Sequence, residues 1–293
     1  MSYRIFTDVC SDLPLDCARD RDISVMPMLV TLDEKDYYID VDPSAPGAIA
    51  PHDFYERLRA GGMAKTAQLT PTMVREHFED TLKNGQDILY IAFSSGLSGT
   101  CANACMAARE LMQDYPGRTV RVVDSLSASL GQGMLAVMAA DARDAGVSLE
   151  EAATQIEQSR LNVHHWFTVD DLMFLRRGGR LSGASAVMGT MLSIKPVLVV
   201  DDEGHLPPRV KVQGRKRALK TLVDKMAEEA RQPITAPVMI AHGDVPDEAN
   251  LVAKMVKEHL GVEVSTINAI SPIIGCHSGP GTVALFFISD KPR

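Results

Sequence analysis

Short apolar runs alternate with stretches of helical periodicity from the start of the chain. Residues 3–7, 23–32, 88–93 and 119–123 are apolar runs that each end in a polar or glycine-containing turn, and they predict β-strands. Between them, apolar positions recur at helical spacing over 14–21, 51–60, 72–83, 100–114 and 129–145. Pro14 and Pro51 suit first helical turns, and Gly61, Gly62 and Gly146 suit stops. This rhythm predicts a parallel α/β sheet whose ligands sit at the carboxyl ends of its strands. After a helix over 148–161 the pattern changes. A strand over 166–169, a short helix through Arg177, and an antiparallel hairpin of 195–200 with 209–212 precede a helix over 215–230. A strand over 237–242, a helix over 246–260 and strands over 262–267 and 283–288 complete the chain. The expected fold is two-domain α/β: a parallel α/β unit over 1–160 and a mixed-sheet α/β unit over 161–293.

Composition narrows the function classes. At 293 residues the chain exceeds what one hydrophobic core usually covers, which supports two domains. Aromatics are 5% of residues while methionines number 15, so a cavity here is expected to be lined by aliphatic and thioether groups rather than by rings that stack on flavins or bases. Asp8, Asp12, Asp16 and Asp20 occupy the first twenty residues, and no apolar run approaches the ~18 residues that span a bilayer. A cytoplasmic protein without stable membrane insertion is expected. Five cysteines without framework spacing fit reduced thiols, and the pair Cys101 and Cys105 lacks a second pair that would complete a metal site.

The net charge of −8 is unevenly spread, with ten basic against three acidic residues between Arg176 and Lys220. A basic patch on an otherwise acidic chain suits an anionic protein surface or a phosphate group and disfavours nucleic acid, which the remainder would repel.

The strongest local signal is the apolar run 88–93 leading into Ser94, Ser95, Gly96, Leu97, Ser98, Gly99 and Thr100 and then a helix. Hydroxyls and free amides at a strand-to-helix junction suit an anion. The loop also approaches a hydrolase nucleophile elbow, with Thr100 where the second framing glycine belongs. Two further near-matches lack their key feature. The stretch 178–185 has phosphate-loop spacing with Ala184 in place of lysine, and Gly131 and Gly133 follow their strand too late for a dinucleotide fingerprint. Two polar or glycine-rich segments read as loops: 65–71, with Thr66, and 275–282, with His277.

Taken together, these segments resemble the DegV family. The matching features are Thr7-Asp8-Val9-Cys10-Ser11-Asp12-Leu13-Pro14, Thr66-Ala67-Gln68-Leu69-Thr70-Pro71, the 94–100 loop, Val123-Asp124-Ser125, Asp170-Asp171-Leu172 through Gly179-Arg180-Leu181-Ser182, Lys195-Pro196 and His277. Val9, Cys10, Ala67 and Leu69 depart from the family pattern. The resemblance implies two α/β domains enclosing a long-chain fatty acid, no catalysis, and no cofactor or metal. In many bacteria such a protein, called FakB, presents the acid to a separate fatty acid kinase, FakA. It further implies that Thr66, Ser95 and His277 contact the carboxylate, with Ser94 and Gly96 shaping the loop. Met26, Met28, Met188 and Met191 are candidates for the tail tunnel, and Arg176, Arg177, Arg180, Arg209 and Lys211 for docking the kinase. The alternatives are a serine hydrolase using Ser98 or Ser95 with His277, a small-molecule kinase acting on a lipid-like or polyol substrate, since the fold is related to that of dihydroxyacetone kinase, and an interaction module.

Overall fold

The computed structural model describes residues 3–182 and 194–293. Four parallel strands, β1 (Tyr3–Asp8), β2 (Ile23–Met26), β6 (Asp87–Ala92) and β7 (Val120–Asp124), form one sheet in the order β2-β1-β6-β7. β6 is buried at all six positions, as the apolar run of a central parallel strand requires. The helices α1 (Leu15–Asp20), α3 (Pro71–Lys83), α4 (Thr100–Asp114) and α6 (Leu149–Ser159) flank these strands.

The second sheet is mixed. It contains β8 (Val163–Thr168), β9 (Ile194–Val199), β10 (Pro208–Gln213), β11 (Met239–His242), β12 (Thr266–Ala269) and β13 (Val283–Ile288) in the order β10-β9-β8-β13-β11-β12. Only β11 and β12 pair in parallel. The helices α8 (Arg215–Glu229) and α9 (Pro246–Leu260) cover one face of it through Leu219, Leu222, Val223, Met226, Val252 and Val256.

The stretch 23–32, read as one strand, is two. Pro27 lacks an N–H and interrupts the ladder, so β3 (Met28–Leu32) leaves the parallel sheet and pairs instead with β4 (Lys35–Ile39) and β5 (Ala64–Thr66). The three-stranded sheet and α2 (Pro51–Arg59) pack against α10 (Pro272–Ser278), a helix that runs into the first half of the 275–282 stretch read as a loop. Both β4 and β5 escaped the sequence pattern, because polar residues dominate them.

α5 (Leu130–Asp144) lies between the two sheets, and Leu130 through Val137 are all buried. A helix buried on every side can approach its neighbours closely only where it lacks side chains. A Cβ at Gly131 would overlap Nε2 of His165 on β8, and one at Gly133 would lie 2.7 Å from the Ser11 carbonyl oxygen. The two glycines that mimic a dinucleotide fingerprint are thus packing positions inside a helix. Gly131→Ala is expected to lower stability by about 1–3 kcal/mol, because the imidazole has to leave its pocket. A melting temperature unchanged in calorimetry would contradict that.

Candidate functional site

A cavity of about 470 Å³ opens where the carboxyl ends of β1, β6 and β7 face the mixed sheet, a size ordinary for a small-molecule site. Cys10, Phe93 and Ala128 reach it from the first sheet, Phe167 and Phe286 from the second, and Ile273 and Ile274 from α10. Along the β13 segment, Thr282, Ala284 and Phe286 line it with the two-residue period of a strand, so it extends roughly 13 Å beside that segment. The wall is mostly apolar; of its polar groups, Ser129 and His165 line it beside the start of α5, while Thr66, Arg180, His277 and Ser278 lie near the last turn of α10.

There, His277 Nε2 lies 2.8 Å from the hydroxyl oxygen of Thr66, the last residue of β5. The other ring nitrogen, Nδ1, faces Gly178, where a Cβ would overlap it, and meets no partner among the described residues. Burial pushes the His277 pKa down to about 4, and the Arg180 guanidinium adds to the fall. The imidazole is therefore neutral at ordinary pH, able to donate one hydrogen bond and accept one. Arg180 follows α7 (Met173–Arg177) and lines the cavity; its Nε donates to the Leu97 carbonyl at 3.1 Å and a terminal nitrogen donates to the Gly178 carbonyl. Ser98 lines the same end, its hydroxyl 3.1 Å from that of Thr100. One fixed cation, a neutral imidazole and hydroxyls thus converge at one end of an apolar chamber.

The expected site residues separate into two groups. Thr66 and His277 meet, whereas Ser94, Ser95 and Gly96 are not among the residues lining the cavity. Ser94 is fully buried and its hydroxyl donates to the Gly204 carbonyl at 3.0 Å. Ser95 is exposed, its amide donating to Asp124 at 3.1 Å, and a Cβ at Gly96 would lie 2.7 Å from the Glu203 carbonyl oxygen. The physical reason is a turn. The amides of Leu97 and Ser98 both donate to the Ser94 carbonyl at 3.1 Å, which carries residues 94–96 toward the β9–β10 connection and returns 97–98 to the cavity.

Arg180, expected at a docking surface, lies in the cavity instead, because the turn after α7 folds it back over Gly178. Arg176 and Arg177 are exposed, with Arg177 stacked 4.7 Å over the Phe174 ring, and Arg209 and Lys211 are exposed on β10. Met28 lines the cavity, Met26 is buried in the core, and Met188 and Met191 lie outside the described residues. Sequence reasoning passed over Gln68 and Ser278 as lining groups, as well as the rings of Phe167 and Phe286, and singled out Ser98 only for the alternative hydrolase reading. The two-residue alternation through 282, 284 and 286 was the available signal for Phe286.

His277 also gives the site a pH signature. Its folded pKa is lowered from the ordinary value, so it contributes stability fully above about pH 6.5, and that contribution is lost as pH falls toward 4. His277→Gln is expected to remove this part of the acid sensitivity, and NMR of the imidazole carbons should show no titration of His277 above pH 5.

The described residues contain no helix long and apolar enough to cross a membrane. Comparison with known proteins agrees with the architecture over the full length. A DegV domain-containing protein of Clostridium perfringens is 38% identical over 288 residues, covering 98% of each chain. Among solved structures, one from Thermus thermophilus, described as showing fatty acid binding of a DegV family protein, is 31% identical over 99% of this chain and 100% of its own, with a TM-score of 0.87. The Bacillus subtilis DegV structure, described as a fatty acid binding protein, is 26% identical over 99% and 100% of the two chains, with a TM-score of 0.85. The family model described as "Uncharacterised protein, DegV family" matches residues 2–290, and the chain belongs to the DegV family.

Proposed function

We propose that this protein binds one long-chain fatty acid, with its tail in the apolar cavity and its carboxylate at Thr66, His277, Arg180 and Ser98, and that it catalyses no reaction itself. The observation that carries this reading is the convergence of the Thr66 hydroxyl, the His277 imidazole and the Arg180 guanidinium at one end of the cavity. Each buried CH₂ of a tail contributes about 0.8 kcal/mol, while the head has to exchange its hydration for protein donors. A single guanidinium beside a neutral imidazole matches a monoanion, and charge-assisted bonds offset the desolvation. The fatty acid binding described for the Thermus thermophilus and Bacillus subtilis relatives supports the same ligand class. A division near residue 160 accords with it, since the parallel strands end at Asp124 and the mixed sheet begins at Val163.

In this reading the protein hands its ligand to a separate fatty acid kinase of the FakA kind. Arg176 and Arg177 are exposed a few residues before Arg180, so a partner docked on them is brought to the carboxylate end of the cavity, and Arg209 and Lys211 extend the basic surface along β10. The cytoplasm, where such a kinase finds ATP, is the proposed location.

Mass spectrometry of lipid extracted from the purified protein should find one fatty acid per chain, and finding none, with no binding on titration, would overturn the proposal. Thr66→Val and Arg180→Gln are each expected to weaken binding about tenfold or more, as loss of a hydrogen bond to a charged group does. Changing both Arg176 and Arg177 to Glu is expected to abolish kinase-dependent phosphorylation of the acid while leaving binding intact; unchanged turnover would remove these arginines from the docking surface.

A further inference from the structure

The helix that presents His277 is fastened at its start by one side chain from the opposite sheet. Asp12 follows β1 in a left-handed backbone conformation with φ of 50°. Its Oδ1 accepts the Ser271 amide at 2.8 Å, immediately before α10, and its Oδ2 accepts the hydroxyl of the cavity-lining Ser129 at 2.5 Å. Its carbonyl accepts the Asn268 side chain at 2.8 Å, at β12. A second brace comes from α2, where the Tyr55 hydroxyl donates to the Ile270 carbonyl at 3.1 Å and lies against Gly275. From this seat, α10 runs less than two turns to His277.

We propose that Asp12 is a positioning residue for ligand retention: it ties the start of α10 to the turn after β1, and when the tie loosens His277 leaves Thr66 and the bound acid escapes. This rests on the reading of the cavity as a fatty acid site. Asp12 is enclosed, and burial pushes its carboxyl up to about 7, with the Ser129 and Ser271 donors opposing the rise and Asp8 adding to it. The titratable groups facing it are Asp8 and Cys10 from its own segment and Tyr55 from α2, with Asp40 across the adjoining crevice; Ser129 at the start of α5 and Asn268 and Ser271 beside α10 carry no charge. Cys10 and Tyr55 are both pushed well above their ordinary values and stay neutral.

An opened joint hydrates the Asp12 carboxyl and returns it toward the ordinary carboxylate range, so the closed joint binds more protons. Closure is therefore favoured at lower pH and weakens as pH rises through about 7, the closed-to-open ratio dropping about tenfold from pH 6 to pH 8. His277 titrates below this window.

The test follows release of a fluorescent polyene fatty acid by stopped flow at pH 6, 7 and 8, together with hydrogen exchange of the α10 amides in lipid-free protein. The wild type should release about tenfold faster at pH 8 than at pH 6. Asp12→Asn, whose amide can still accept from Ser271, should rescue slow release and flatten the profile. Asp12→Ala should release fast at every pH and exchange its α10 amides faster; if it does not fold, Ser129→Ala, which removes the Oδ2 donor, replaces it with faster release expected. A wild-type profile without slope, an Asn variant that keeps the slope, or unchanged α10 exchange on removing the tie would each overturn the proposal. A wild type that holds no fatty acid would instead sink the ligand assignment, and exchange at α10 would still decide the role of Asp12.

Discussion

Asp8 sits at the end of β1 with no access to water, and its carboxylate is surrounded by donors from three directions. The Tyr90 hydroxyl approaches to 2.6 Å and the Phe93 amide to 3.2 Å from β6 and its exit, the Gln132 side chain to 3.1 Å from α5, and the Cys10 amide to 3.0 Å from its own turn. A buried carboxylate left short of donors is strongly destabilising, so these elements have little freedom to move apart. Burial still raises the Asp8 pKa against the lowering effect of its partners. Phe93 and Cys10, both in this network through their amides, are also cavity walls. The shape of the chamber floor follows from the solvation of one acid.

The opposite wall obeys a different rule. α10 and the three-stranded sheet are held against each other by apolar contact and by the Thr66–His277 hydrogen bond, with few of the long ladders that stiffen the main sheets. The molecule thus pairs a rigid floor with a polar joint that a few hydrogen bonds control. Arg180 belongs to both sides: it holds the Leu97 carbonyl of the first unit while projecting from the second.

Much of the fold was legible because the main strands are apolar enough to declare themselves. The helices over 100–114 and 246–260 and the strand over 283–288 lie where periodicity puts them. The small sheet was not legible, since Lys35, Asp36 and Lys65 on its strands are exposed and break the alternation. Thr66 and His277 were named from the family resemblance, which keeps the order of motifs, and the structure brings the two together. What sequence could not supply was the direction of the 94–100 loop or the inward turn of Arg180. Both depend on distant backbone, the Gly204 carbonyl in one case and the Leu97 carbonyl in the other, and neither contact leaves a local pattern.

Thr66 and His277 are separated by 211 positions in the chain. During synthesis the N-terminal strands can pair and fold while the residues that complete the polar end are still inside or behind the ribosome. Until His277 emerges, the apolar floor of Cys10, Phe93 and Leu97 faces water without its cover, a surface that invites association with other hydrophobic molecules. The late arrival of one short helix therefore leaves on the nascent chain an apolar surface that the finished protein covers.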